Sequence, residues 1–188
     1  MQKRQIEFYI RNAELSDLDS IQKIYQSARD FMKANGNSTQ WGNDRPHKEN
    51  IESNINKKFQ FVCCYENENG TEEVAGTFLF MHEKEPSYDD LKDGKWPENT
   101  EDYWCIHSVA SGMKVKGVAS FIFSWCENQP GVKCIKIDTH RNNLPMQHLV
   151  EKNGYIYCGH CYYYEDVETD DGIAQDFERI AFCKVLKK

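Results

Sequence analysis

The stretch from Tyr103 to Tyr155 is the part of the sequence that most constrains the fold. Its pattern predicts a strand, a short basic turn, a helix, a second strand and a second helix, in the order YWCIHSVAS, GMKVKGVA, SFIFSWCENQ, VKCIKIDTH and RNNLPMQHLVEKNGY. A strand that leads through a turn into a helix leaves unpaired backbone N–H groups and the positive end of the helix dipole at that turn. The arrangement predicts a cradle for an anion such as a pyrophosphate.

The turn itself runs from Lys114 to Ala119 and reads Lys-Val-Lys-Gly-Val-Ala. Two lysines add full positive charge, and Gly117 and Ala119 allow the backbone to approach a ligand closely. The turn is also the only clear local basic feature of a chain whose net charge is -7 and whose pI is about 5.4. We therefore expect no general affinity for nucleic acid or for an anionic membrane.

Length and cysteine content place the chain in a broad class. The 188 residues suit one domain, residues 1–188, with a substantial core. No apolar run approaches the roughly 20 residues of a membrane span, and the first residues lack the apolar region of a signal peptide. Eight cysteines without a secretory signal indicate free thiols in a reducing, cytoplasmic environment.

The flanking segments supply further strands and helices. A helix is expected to open at Ser16, with Asp19 as its capping partner, and to end near Gly36. A more polar helix is expected over 46–57, and 168–176 is an acidic turn region. Strands are predicted at Gln5–Asn12, Phe59–Tyr65, Val74–His82, Tyr155–Tyr164 and Arg179–Leu186. Together these segments predict an α/β fold with a mixed, mostly antiparallel central sheet of about seven strands flanked by about four helices.

A long acidic loop over residues 83–101 has two interpretations. It contains Tyr88 and Trp96 among carboxylates. Either the loop is solvated and its aromatic side chains pack back on the body, or it forms a wall of an acceptor pocket.

This pattern resembles the GNAT superfamily of N-acetyltransferases. The turn Lys114–Ala119 matches the family's pyrophosphate loop, Arg/Gln-x-x-Gly-x-Gly/Ala, with lysine first and alanine last. The strand IHSVAS resembles the family's fourth strand, and IDTHRNNLPMQHLVEKNGY resembles its next strand and helix, which an asparagine precedes and Gly-aromatic closes. The resemblance is densest over 103–158 and extends over the whole chain through the order of the elements.

The resemblance implies that acetyl-CoA is a co-substrate and that a primary amine is the acceptor, either on a small molecule or on a protein. In the family the fourth strand separates from the fifth and bonds the pantetheine arm. The residues that this implies for acetyl-CoA are Val109, Ala110 and Ser111 on the strand, Lys114, Val115, Lys116, Gly117, Val118, Ala119 and Ser120 at the turn, and Asn143 ahead of the next helix.

The amine must lose a proton before it attacks the thioester, so a general base is expected. Asp138, where several family members carry a glutamate, is the first candidate, and strand alternation places it on the face of Lys136, opposite Ile135 and Ile137. His107 and His140 are rivals because an unperturbed histidine titrates near pH 6.5. Each of these residues also has an ordinary structural interpretation.

The general acid is where the sequence departs from the family. Many members have a tyrosine seven residues after the asparagine, and here Val150 occupies that position. Tyr155 is the candidate replacement, with Tyr157 as a second; water is a further alternative, and loss of catalysis is another.

Cys158 and Cys161 form a C-x-x-C motif in a strand-like, aromatic segment. A redox motif needs its first cysteine at a helix N-terminus, and zinc needs a second ligand pair. A spacing of three in a strand is expected to place the two sulfurs on opposite faces, so buried thiols are the default.

The sequence thus favours a cytoplasmic acetyl-CoA-dependent N-acetyltransferase without metal. Its acceptor is expected to enter between the loop around Trp41 and the loop 83–101, whose acidic residues suit a cationic amine. The alternative is a non-catalytic acyl-CoA-binding module, and a third interpretation is a thiol-redox or metal protein. A homodimer through an exposed C-terminal strand is a candidate assembly.

Overall fold

The computed structural model describes residues 6–163 and 177–187. Its strands are β1 Phe8–Asn12, β2 Gln60–Glu66, β3 Glu72–Met81, β4 Trp104–Ser111, β5 Cys134–Thr139, β6 Ile156–Tyr162 and β7 Glu178–Val185. Its α-helices are α1 Leu18–Ala34, α2 Lys48–Asn56, α3 Val118–Glu127 and α4 Leu144–Lys152. The expected acidic turn at 168–176, together with Gln5 and Tyr164, lies outside the described residues.

The seven strands form one sheet in the order β1-β2-β3-β4-β5-β7-β6. Every neighbouring pair is antiparallel except β4 and β5, which are parallel because α3 crosses between them. The predicted mixed, mostly antiparallel sheet with four helices is confirmed for the described residues.

The parallel pair β4–β5 is short. It consists of Trp104 with Ile135 and Cys105 with Lys136, although β4 continues to Ser111. A β-bulge lies just beyond, because Thr77 pairs with Ala110 while Leu79 pairs with His107, and Ser108 in the bulge has φ 51°. The two strands therefore separate, as the resemblance implied.

Apolar side chains fill both faces of the sheet. Ile135 and Ile137 belong to a core shared with α3 and α4, whereas Lys136 points to the opposite face, with its Nζ 3.8 Å from the centre of the Tyr103 ring. A second core lies under α1 and α2, and a third, rich in cysteine, lies under the loop between β3 and β4. The expected alternation along β5 is confirmed.

The start of the first helix differs from expectation. A 3-10 turn, Leu15–Asp17, precedes α1, and the capping box joins Glu14 and Asp17 rather than Ser16 and Asp19. The Asp17 carboxylate accepts both the Glu14 N–H at 2.8 Å and the Arg11 guanidinium at 2.7 Å, so this residue fixes the entry of the helix.

The last strand is not an edge of the sheet. β7 lies between β5 and β6, and the described edges are β1 and β6. The homodimer expectation rested on an exposed C-terminal strand. That premise is wrong, since β7 is paired on both sides. Among the described residues, none of the helices combines the length and the apolar character that crossing a membrane requires.

Candidate active site

A cavity of about 650 Å³ opens where β4 and β5 separate. Its wall is built from α1, the segment before α2, the outer half of β4, the first turn of α3, β5 and α4. The cavity lies where the two parallel strands stop pairing, and residues of both strands line it.

One end of the cavity is formed largely by backbone and small side chains. Five of the residues expected to bind acetyl-CoA line it: Val109, Ala110, Ser111, Ala119 and Asn143. The others form the adjoining turn and the start of α3. Gly117 is the N-cap of α3 with φ 91°, and no side chain of the described residues caps that helix, so its first N–H groups have no capping partner there.

Asn143 has a structural role at this wall. Its Oδ1 accepts the Met146 N–H at 3.3 Å as the N-cap of α4, and its Nδ2 donates to Gln40 Oε1 at 3.0 Å. The side chain thereby ties α4 to the segment between α1 and α2.

The other end of the cavity contains a cluster of titratable side chains around Asp138. Asp138 Oδ1 accepts hydrogen bonds from the hydroxyls of Tyr88 at 2.7 Å and Tyr163 at 2.8 Å. The same oxygen lies 3.6 Å from His107 Nδ1, and His107 Nε2 lies 3.8 Å from Glu85 Oε2. The side chains of His107 and Asp138 are only 12% and 6% exposed.

The two phenols keep their protons. Burial, reinforced by the nearby Asp138 charge, raises the pKa of Tyr88 and of Tyr163 well above the usual value. Asp138 is therefore committed to accepting from both phenols. His107 Nε2, by contrast, has no hydrogen-bond partner among the described residues.

The loop between β3 and β4 both packs on the body and reaches the cavity. Its 3-10 turn, Pro86–Tyr88, buries Tyr88, while Trp96 Nε1 donates to the Tyr88 carbonyl at 2.8 Å. Glu85 Oε1 accepts the Ser87 N–H and hydroxyl, which leaves Oε2 to face His107. The packing of the aromatic side chains on the body is thus confirmed, and the loop also lines the cavity through Glu85.

Comparisons with known proteins agree with this architecture. No protein-family model matches the chain, and no curated protein matches it in sequence. A solved GNAT-family acetyltransferase from Streptococcus agalactiae 2603 superposes with a TM-score of 0.77 at 26% identity, over 96% of each chain. A candidate acetyltransferase from Staphylococcus aureus Mu50 gives a TM-score of 0.66 at 25% identity, over 95% of this chain and 99% of that one.

The chain belongs to the GNAT superfamily. A more distant fold relative is yncA of Salmonella typhimurium, a candidate acetyltransferase solved with its cofactor acetyl-CoA. It has a TM-score of 0.58 at 14% identity, over 97% of this chain and 95% of that one. The GNAT-family matches support acetyl transfer as the general class of activity.

In this GNAT protein the expected acid Tyr155 does not reach the cavity. Tyr155 is 3% exposed and packs edge-on against Phe123 in the core. Tyr157 lies against Phe182 and is half exposed on β6, while His140 Nδ1 accepts the Asn142 N–H at 3.0 Å. Among the described residues, the phenol that lines the cavity is Tyr163, which directly follows the aromatic strand β6.

Val150 also lies elsewhere than the comparison with the family's tyrosine suggested. It is fully buried in the core, and the α4 residues that line the cavity are Pro145, Met146 and Leu149. A tyrosine at position 150 would therefore point into the core of this protein, so Val150 leaves no gap in the active site.

The structure also corrects the expectation that the two cysteines of the C-x-x-C motif lie on opposite faces of their strand. The register of β6 with β7 shifts between Tyr157 and Gly159, which inserts one extra residue and places Cys158 and Cys161 in the same buried cluster rather than on opposite faces. The hydrogen bond with Cys183 lowers the pKa of the Cys158 thiol, whereas burial raises that of Cys161. In the part of the chain that the structure describes, no group of three or more metal-binding side chains converges.

Proposed function

We propose that this protein transfers an acetyl group from acetyl-CoA to a primary amine by direct attack of the amine on the thioester. The observation that carries the proposal is the single cavity that runs from the uncapped start of α3, along the unpaired edge of β4, to His107. The imidazole of His107 and the strand and helix start proposed for acyl-CoA thus adjoin one cavity.

Acetyl-CoA is proposed to bind at the first end of the cavity. The pyrophosphate would accept hydrogen bonds from the N–H groups of residues 115–120, with Lys114 and Lys116 adding charge at an exposed turn. The pantetheine arm would pair with β4 at Val109, Ala110 and Ser111, where that strand has no partner in β5.

His107 is proposed as the base. Its Nε2 accepts a proton from the acceptor ammonium, and the freed nitrogen lone pair attacks the thioester carbonyl. A backbone N–H near Val109 would stabilise the oxyanion that forms. Asp138, the base that the sequence favoured, is better placed to orient His107 through Nδ1, since its Oδ1 already accepts from two phenols.

Collapse of the intermediate breaks the carbon–sulfur bond and releases CoA as a thiolate. A thiol pKa of roughly 8.5 makes this a tolerable leaving group, so no dedicated acid is required. The attacking nitrogen gives its second proton to the departing thiolate, which leaves a neutral amide and CoA, and the proton held by His107 passes to water. Positioning of the amine is the larger contribution, and base catalysis adds about 10²–10⁴-fold.

The test is CoA release with acetyl-CoA and a panel of amines, with His107→Gln as the variant. We expect kcat to fall by about 10²–10⁴-fold while stabilisation by acetyl-CoA is retained. His148→Gln, at an exposed position of α4, is the matched control and should keep the wild-type rate. A His107→Gln enzyme with a wild-type rate would remove the base assignment.

The non-catalytic acyl-CoA-binding module makes a different prediction. It would be stabilised by acetyl-CoA and would release no CoA with any amine. The Val150 that suggested it faces the core, so the structure offers that alternative no support.

A further inference from the structure

The acceptor end of the cavity has an apolar wall that is separate from the cores of the protein. Phe31 and Met32 near the end of α1 and Leu79 on β3 all line the cavity. None of the three belongs to the hydrophobic cores that the described residues form. Arg45 and Arg179 also line the cavity, and both make interactions within the protein. Apolar side chains that face a cavity are stabilised when an apolar ligand covers them.

The strand register brings this apolar wall next to His107. Leu79 pairs with His107 across β3 and β4, so the two side chains leave the sheet on the same face. Gln60, the β2 partner of Leu79, donates to the Tyr25 hydroxyl of α1 at 3.2 Å, so α1 covers this face. An acceptor whose amine lies at His107 therefore has its carbon body beside the apolar side chains of α1 and β3.

Glu85 supplies a fixed carboxylate at the polar end of this wall. Its N–H donates to the Tyr103 hydroxyl at 3.0 Å, and its Oε1 accepts the N–H and the hydroxyl of Ser87 at 3.1 and 2.9 Å. Its Oε2 lies 3.8 Å from His107 Nε2, which is buried and has no hydrogen-bond partner among the described residues. One ammonium nitrogen can lie within hydrogen-bond distance of both atoms. The amine of an acceptor thus has a defined position between Glu85 and His107.

We propose that the acceptor is an apolar primary amine, in which a short aliphatic arm joins the amine to an aromatic ring. Its ammonium binds at Glu85 and His107, and its ring lies against the apolar wall of α1 and β3. This inference rests on the proposed function and names its substrate class. Phe31 and Trp41 offer ring-to-ring contacts at the cavity. A second charged or polar group on the acceptor would lose its hydration against the apolar wall, which disfavours polyamines and amino alcohols.

The direct test compares three primary amines on the wild-type protein with acetyl-CoA: 2-phenylethylamine, 2-aminoethanol and 1,4-diaminobutane. We expect kcat/KM for 2-phenylethylamine to exceed that of the other two by about 10- to 100-fold, the value of burying one large apolar group. An equal or higher kcat/KM for either polar amine would overturn this inference alone. No CoA release with these or any other amine would contradict both this inference and the proposed transferase.

Two variants at one position test the apolar wall. Phe31→Gln is expected to bring the kcat/KM values of 2-phenylethylamine and 2-aminoethanol together, mainly through KM for 2-phenylethylamine. Phe31→Leu is the matched control, because it keeps the position apolar, and it should retain most of the wild-type preference. Full retention of the preference in a folded Phe31→Gln protein would overturn the role of this wall. The comparison of amines on the wild-type protein holds if that variant fails to fold.

A variant of Glu85 tests the position of the ammonium. Glu85→Gln is expected to lower kcat/KM for all three amines by a similar factor of about 10- to 100-fold, because every ammonium loses the same charged partner. Stabilisation by acetyl-CoA should be retained. Glu83→Gln, at an exposed position of the same loop, is the matched control and should keep the wild-type values. Wild-type kcat/KM in Glu85→Gln would overturn the role of Glu85.

Discussion

The two ends of the cavity are built in different ways. The end proposed for acetyl-CoA comes mainly from one continuous stretch, β4, the turn and α3, to which Asn143 at the start of α4 is added. The opposite end assembles side chains from five separate parts of the chain, represented by Phe31, Glu85, His107, Asp138 and Arg179. The first end depends on local conformation, while the second depends on how distant segments pack.

The largest expected effect after that of His107 is at Asp138. Asp138→Asn removes the charge that orients His107 Nδ1 and accepts from Tyr88 and Tyr163, and we expect kcat to fall by about 10²-fold. The pH profile distinguishes the roles. If Asp138 orients His107, the kcat/KM profile of Asp138→Asn keeps its acidic limb but at a shifted pH. If that limb disappears in the variant, Asp138 is the base.

The contrast between the ends explains what the sequence could predict. The turn and the N-cap Asn143 follow from local patterns, because the residues that form each feature are neighbours in the chain. The separation of β4 from β5 was expected from the family resemblance instead. The partners of Asp138 do not, since Tyr88 lies 50 residues before it and Tyr163 lies 25 residues after it. Tyr155 was favoured by proximity in sequence, but in the structure it lies just before β6 and is buried in the core.

The bulge in β6 shows a second limit. Simple alternation places Cys158 and Cys161 on opposite faces, and one inserted residue reverses that result. A bulge depends on the pairing with β7 and with the Lys92 segment, whose backbone bonds to His160 at 2.8 Å in both directions. Such long-range contacts leave little trace in a local pattern.

A smaller effect tests the α4 wall between the two ends. Val150→Tyr forces a larger side chain into a fully buried site, and we expect the free energy of unfolding to fall by about 1–3 kcal/mol or more. Leu149→Tyr, one residue earlier and facing the cavity, should cost less. Urea unfolding measures both variants. A well-tolerated tyrosine at position 150 would show that this side of α4 is open to the site.

The smallest expected effect lies away from both ends. The hydrogen bond from Arg11 holds the pKa of Asp17 below its ordinary value, so the stability it contributes is present above the unfolded pKa and is lost as pH falls through the folded pKa. Asp17→Asn should lower the free energy of unfolding at pH 7 by roughly 1–2 kcal/mol. The difference from wild type should shrink below about pH 4, measured by urea unfolding across pH. A loss of kcat/KM in Asp17→Asn as large as its loss of stability would show that the Arg11–Asp17 pair is coupled to the active site.

The most direct test of the account is thermal unfolding with and without acetyl-CoA, on the wild type, Gly117→Glu and Gly131→Glu. Both glycines have positive φ, 91° and 80°, and neither has a close neighbour to an added Cβ, but only Gly117 lies at the proposed pyrophosphate site. At 100 times its Kd, acetyl-CoA should stabilise the wild type and Gly131→Glu by about 2.7 kcal/mol, and Gly117→Glu should lose that gain. No stabilisation of the wild type at saturating acetyl-CoA, or an equal gain in Gly117→Glu, would contradict the account.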